Sequence, residues 1–308
     1  MKNQLVTVVG GSGFVGRHVV HLLASRGYRI RVLVRDTIAA EFLKTQGSVG
    51  QIAIEHADLT RPETLRGKLD ESVAVVSLVS IMYETGRQKF QNINVNGARA
   101  IADEATRAGV ATLVHVSALG VDRARDTRYG ATKLTGEQVV RAGFPNATIL
   151  RPSLIAGPED KFFQRFARMS MFAPALPLIG GGTTKFQPVL VTDVASAVLA
   201  CIETPAARGL TYELGGPKTY SFKELLELIG TTINRHPLLL SLPVGIAKLQ
   251  GLLCELLPFP PMLTRDQVGL LAHDNVMSVG AKTFVDLGLK ATALETALPA
   301  LLARYVKE

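Results

Sequence analysis

Residues 5–19 read LVTVVGGSGFVGRHV, a short apolar run that breaks into closely spaced glycines and resumes at helical spacing. No other stretch of the 308-residue chain restricts the possible folds so tightly. Gly10, Gly11, Gly13 and Gly16 fall between a strand and an amphipathic helix. A tight turn, a close backbone approach to a ligand and intimate helix–strand packing each need a residue without Cβ. The helix N-terminus that follows presents free N–H groups and partial positive charge to a phosphate. Such a glycine run is a weak signal alone. Placed at the end of a chain's first strand and opening a helix, it points to a dinucleotide-binding turn. On this reading Gly10, Gly11, Ser12, Gly13, Phe14, Val15 and Gly16 cradle the ligand.

The rest of the first half keeps the same rhythm. Strands are expected at 5–9, 28–34, 51–57, 73–79, 111–117 and 147–153, with helical periodicity at 16–27, 63–69, 94–109 and 129–143. Strands alternating with helices imply βαβ units, hence an α/β fold with a Rossmann-type, doubly wound parallel sheet. Beyond residue 153 the pattern changes to Gly/Pro-punctuated loops, a helix from Asp193 to Glu203 capped by Asp193, a strand at 210–216 and a helix capped by Ser221. The expected organisation is a nucleotide-binding domain over 1–153 and a smaller α/β lobe over 154–308, with some later segments returning to the main sheet. Ligands of such sheets bind at the carboxyl edge of the strands.

The end of the second strand selects the nucleotide. A carboxylate there bonds an NAD ribose, whereas an arginine accommodates the extra phosphate of NADP. The strand ends Val34-Arg35-Asp36. Arg35 favours NADP(H), and Asp36 keeps NAD open. Asp58, closing the third strand, can accept from the adenine amino group or can cap the segment that follows. Leu59, with Leu78, Val79 and Pro152 at the ends of the fourth and sixth strands, completes the cofactor-binding set. Net charge is +8, and residues 1–150 hold 19 Lys and Arg against 13 Asp and Glu. A basic surface without a nucleic-acid reading motif argues against nucleic acid and for an acidic ligand or partner.

Several motifs then converge. Gly10-x-x-Gly13-x-x-Gly16, Asp58-Leu59, Asn94-Val95-x-Gly97, Tyr129-x-x-x-Lys133, ILRPSLIAGP (149–158) and FQPVLVTDVASAV (186–198) resemble the extended short-chain dehydrogenases/reductases, in their atypical branch. The strings GGSGFVGRHVV, ETGRQKF, LPLIGGGTTKFQPV, TYELGGP and LTRDQV resemble a narrower family. It comprises the NADPH-binding, dehydrogenase-like accessory subunits of respiratory complex I (NADH:ubiquinone oxidoreductase) in bacterial form. That resemblance implies a tightly held NADPH without established turnover, and docking on the peripheral arm near the membrane.

Tyr129 and Lys133 lie at i,i+4 and so share a helix face. A phenol beside an ammonium can move a proton, and the lysine can also hold the nicotinamide ribose. Reactive members of the family add a hydroxyl that polarises the substrate carbonyl. Here that position falls on Ala118, with Ser117 one residue before it and directed to the opposite side unless the strand end is bulged. Loss of such a donor costs roughly 2.7–4 kcal/mol of barrier. The alternative is an active NADP-dependent oxidoreductase or epimerase that uses Tyr129, Lys133 and Ser117.

No metal-ligand spacing is present; His18 and His21 read as residues of a helix face, and Cys201 and Cys254 as buried inert thiols. No apolar run reaches the ~20 residues of a membrane helix, and no signal peptide is expected. A cytoplasmic chain held to the inner face of the plasma membrane through its complex follows. Residues 238–263 include a helix from Val244 whose positions 246, 249, 253, 256 and 257 form an apolar face, ended by the prolines at 258–261. It either covers the substrate cleft or meets a protein partner or the membrane interface.

Overall fold

Seven parallel strands form the central sheet of the computed structural model, which describes residues 3–257 and 259–306. The first six are β1 (Leu5–Val9), β2 (Arg29–Val34), β3 (Ile52–His56), β4 (Ser72–Ser77), β5 (Thr112–Val116) and β6 (Thr148–Pro152). Short strands β7 (Ile155–Ala156), β8 (Ala175–Ile179), β9 (Lys185–Phe186) and β10 (Val189–Leu190) follow, then β11 (Thr211–Leu214), β12 (Tyr220–Ser221) and β13 (Leu238–Leu242). The sheet order is β11-β6-β5-β4-β1-β2-β3. β1 is central and wholly buried, which explains its unbroken apolar run. Its one hydroxyl, on Thr7, is satisfied by Ser72 at 2.7 Å. The sequence places the seven strands of this sheet within two residues of their observed limits.

Helices cover both faces. α1 (Phe14–Ser25) and α5 (Val191–Glu203) pack on one, α2 (Ala98–Arg107) and α3 (Arg128–Gly143) on the other. The remaining helices are α4 (Phe163–Phe172), α6 (Phe222–Thr232), α7 (Val244–Leu256), α8 (Arg265–Leu270) and α9 (Leu294–Leu302). A separate core cluster joins α4, α6 and α9 around Phe163, Phe186 and Phe222. β7 pairs with β10, β9 with β12, and β8 with β13.

Four local expectations need correction. The helix expected at 63–69 is a single 3-10 turn, Pro62–Leu65, because Gly67 adopts φ +75 and breaks the run. The helix expected at 94–109 begins earlier, with a π-helical segment at Gln91–Gly97 leading into α2. Asp193 does not begin α5; the helix starts at Val191, and the Asp193 carboxylate accepts from the Thr292 amide at 2.7 Å instead. The apolar face of α7 is turned outward, with Ile246, Leu249, Leu253, Leu256 and Leu257 exposed and only Ala247 and Gly251 buried. The helix therefore does not cover a cleft with that face. α7 ends at Leu256, and Pro258 lies outside the described residues. Among the described residues, no helix is long and apolar enough to cross a membrane.

Candidate nucleotide site

After β1 the chain leaves toward β2, and after β4 toward β5, so a crevice opens where these neighbouring strands part. Gly10 and Val79 face each other across it: a Cβ on Gly10, whose φ is +86, would stand 2.9 Å from Val79 Cγ2. Leu78 donates its amide to Val9 O at 3.0 Å, fixing the other rim. Gly16 makes the helix–strand contact, since a Cβ there would meet Gly10 O at 2.5 Å and Gly11 Cα at 2.6 Å. Gly11 packs with equal tightness on Val32, at 2.7 Å. At Gly13 a Cβ would approach only Gly10 O, at 3.3 Å, and would otherwise point into open space. Gly13 is also the N-cap of α1 and supplies no side chain to its first amides. A cradle that any Cβ at Gly13 would partly fill, beside uncapped helix amides, fits a pyrophosphate. Phe14 packs its ring edge against Gly157, and Val15 is half-buried. Ser12 is half-buried, its carbonyl 3.4 Å from an Arg17 Nη.

At the ends of β2 and β3 the two competing side chains part company. Asp36 turns back on its own loop, its Oδ1 accepting from the Ala39 amide at 2.9 Å. Arg35 is exposed, and its guanidinium makes no hydrogen bond among the described residues. Asp58 lies two residues beyond β3, where its carboxylate accepts from both the amide and the hydroxyl of Thr60, each at 2.9 Å. Burial pushes its pKa up, but the Thr60 bonds and the charges of Arg61 and Arg35 outweigh it and hold the carboxyl below its usual range. Leu59 is buried where Gly97 comes within van der Waals reach.

Both Tyr129 and Lys133 are buried on α3. The Lys133 ammonium donates to Val116 O at 2.9 Å, which leaves two of its three donors without an acceptor among the described residues. Burial lowers its pKa to about 8, against the pull of Glu137. Neighbouring His115 bonds Ser77 at 3.1 Å and is driven down to about 3 by burial and then by Lys133. The Tyr129 phenol goes the other way: burial raises it, a bond to Ser80 opposes, and the Asp266 charge adds to the rise. Its ring meets Phe90 edge-on at 6.2 Å. Ser117 is buried, and its Oγ has no hydrogen-bond partner among the described residues. Ala118 is the more open of the two. Pro152 ends β6 with its carbonyl taking the Leu119 amide at 2.9 Å. The free donors of Lys133 and the orphaned Ser117 hydroxyl fit polar groups of a ribose and nicotinamide. A neutral, buried phenol can donate a hydrogen bond, but it is poorly disposed to give up its proton at neutral pH.

Other side chains that organise this edge were not evident in the sequence. Glu159 ties the AGPED loop to α1 through Arg17 at 3.2 Å and His18 at 3.0 Å, so His18 is a bridging residue rather than a plain helix-face one. Glu84 holds the loop beside the site, accepting from the Phe90 amide at 2.8 Å and from Arg128 at 3.0 Å. Asn275 stitches the later chain to the strand ends, bonding Ser153, the Leu154 amide and Leu119 O. Asp266 reaches the start of α3. Of the two cysteines, Cys201 is buried with its thiol pushed up to about 12, whereas Cys254 on α7 is only half-buried.

Known proteins place this geometry. The family model for the NAD dependent epimerase/dehydratase family matches residues 6–215. The Arabidopsis thaliana protein "NADH dehydrogenase [ubiquinone] 1 alpha subcomplex subunit 9, mitochondrial" is 32% identical over 98% of this chain and 78% of its own length. A "Ceramide reductase" of Caulobacter vibrioides is 31% identical over 78% of this chain and 74% of its own. Among solved structures, the dTDP-glucose 4,6-dehydratase DesIV of Streptomyces venezuelae, with NAD and TYD bound, superposes with a TM-score of 0.76. It covers 98% of this chain and 96% of that one at 19% identity, a likeness of fold. With residues 6–215 matched, from β1 through the glycine turn to the end of β11, this chain belongs to the NAD dependent epimerase/dehydratase family.

Proposed function

We propose that this chain is a nucleotide-binding accessory subunit of an NADH:ubiquinone oxidoreductase, retaining NADP(H) at the crevice between β1 and β4 without turning it over. The observation that carries the reading is the near full-length similarity to a subunit of that name. The site supports it. Arg35 is available to a 2′-phosphate while Asp36 is engaged in its own loop. Burial holds Tyr129 as a neutral phenol, and Ala118 offers no hydroxyl where a reductase would polarise its substrate. In this reading Gly10 to Gly16 take the pyrophosphate, Arg35 and Asp58 the adenosine end, and Tyr129 and Lys133 the nicotinamide ribose. The exposed apolar face of α7 then meets subunits of the peripheral arm at the inner side of the membrane.

A second reading, an active NADP-dependent reductase or epimerase, draws on the unpartnered Ser117 hydroxyl and on the similarity to a ceramide reductase. The experiment that separates them begins with the native protein. Any copurifying nucleotide is identified by mass, and its fluorescence is followed as quinones and ketones are added. NADPH that survives purification and resists every oxidant is expected. Rapid oxidation assigns the chain to the reductases instead.

A further inference from the structure

The start of α3 is capped from two directions. Thr127 precedes the helix and accepts from the Gly130 amide at 3.0 Å. The two amides it cannot reach, those of Arg128 and Tyr129, donate to the two carboxylate oxygens of Asp266, at 2.7 and 3.0 Å. First-turn amides have no partner within their own helix, so the tyrosine's backbone is held by a residue 137 positions away. Asp266 lies in the first turn of α8, which is itself fixed by a reciprocal cap between Thr264 and Gln267. The residue before it, Arg265, is gripped by Glu255 of α7 through its amide at 2.7 Å and its Nε at 3.0 Å. α7 and α8 are also in tight backbone contact, since a Cβ on Gly251 would stand 2.8 Å from Arg265 N. Gly269 of α8 touches Thr127 in turn. A continuous run of charged hydrogen bonds and close packing thus leads from α7, through Glu255, Arg265 and Asp266, to the backbone of Tyr129.

We infer that Asp266 is a positioning residue for the nucleotide site, through which the α7–α8 unit sets how firmly Tyr129 holds its ligand. The inference rests on the nucleotide reading above. A carboxylate with both oxygens on consecutive amides fixes the rotation of the helix's first turn as well as its position, and Tyr129 lies within that turn. The same negative charge stands close enough to the phenol to favour its neutral form, so that it acts as a hydrogen-bond donor to the ribose. An ordinary helix cap contributes to the stability of its helix and nothing more. The positioning role adds an effect on the ligand that a distant cap cannot have.

The test compares nucleotide release from the full-length protein loaded with NADPH, followed by fluorescence on displacement with excess NADP⁺. Asp266→Ala is expected to speed release at least tenfold. Asp266→Asn, which keeps one acceptor oxygen, should restore part of the slow release and also serves if the alanine variant fails to fold. Glu255→Ala, remote from the ligand, should speed release a few-fold. Ser221→Ala is the control, because it removes a comparable cap from α6 and should lower thermal stability while leaving release unchanged. If the Asp266 variants lose stability like the control and release NADPH at the wild-type rate, Asp266 is only a cap and the inference fails. Wild-type protein that takes up neither NADPH nor NADH overturns the nucleotide reading, and the inference with it.

Discussion

Gly13 and Gly16 stand three residues apart in one turn, yet their surroundings differ. A Cβ at Gly16 would press on backbone atoms of Gly10 and Gly11 that cannot withdraw, whereas at Gly13 it would meet only Gly10 O at 3.3 Å. Gly16→Ala should therefore destabilise the fold, by about 1–3 kcal/mol as overpacking does. Gly13→Ala should cost only about 0.5–1 kcal/mol, since alanine is the poorer N-cap, yet lose most nucleotide affinity. Urea melts beside NADPH titrations decide it; equal stability losses would count against the phosphate cradle. His115 gives a pH signature. Its folded pKa is about 3 and its ordinary value 6.5. Between those values the unfolded chain binds a proton that the native state refuses, so stability falls as pH drops below about 6.5, by up to ~1.4 kcal/mol per unit. His115→Gln should flatten that fall between pH 6.5 and 5, above the range in which Glu55 and Glu104, both held low, begin to titrate. An unchanged slope would show that His115 is protonated in the fold.

At the scale of elements, α7 is the odd member. Apolar residues at 246, 249, 253 and 256 suit either a cleft cover or a partner surface, and here they face out while Ala247 and Gly251 make the tight contact. Small residues permit the close approach to α8, leaving no side for the leucines but solvent or a partner. Neighbouring β13 adds exposed Leu238 and Leu240 to the same class of surface. Leu249→Ser and Leu253→Ser should change stability by no more than ~0.5 kcal/mol, as surface substitutions do. The double variant should nonetheless lose co-sedimentation with respiratory membranes that retain the complex. A large drop in the urea midpoint would mean that these leucines are internal after all. The π-helical segment before α2 is similarly invisible in periodicity. It puts Asn94 O where a Cβ on Gly136 would come within 2.3 Å, so the close pairing with α3 depends on that glycine.

For the whole molecule, the nucleotide is expected to act as a stabilising ligand that joins both rims of the crevice. A ligand at a hundred times its Kd adds about 2.7 kcal/mol, which raises the Tm of a chain this size by about 5 °C. Calorimetry with NADPH and NADH should show the larger rise with NADPH if Arg35 grips a 2′-phosphate; the reverse order would reassign the site to NAD. The order of strands and helices, the glycine turn, and the Tyr129–Lys133 pair were legible in the sequence because each is written locally: short unbroken apolar runs, helical spacing, or a fixed offset along one helix. The return of β11 to the sheet edge beside β6 is less local, and only the structure sets its register. The outward face of α7, the bridges made by Glu159 and Asn275, and Asp266 on the amides of α3 were decided by tertiary structure alone. Each depends on which distant group happens to lie within hydrogen-bond or van der Waals reach, and a carboxylate or an amide in a sequence carries no mark of the partner it will find.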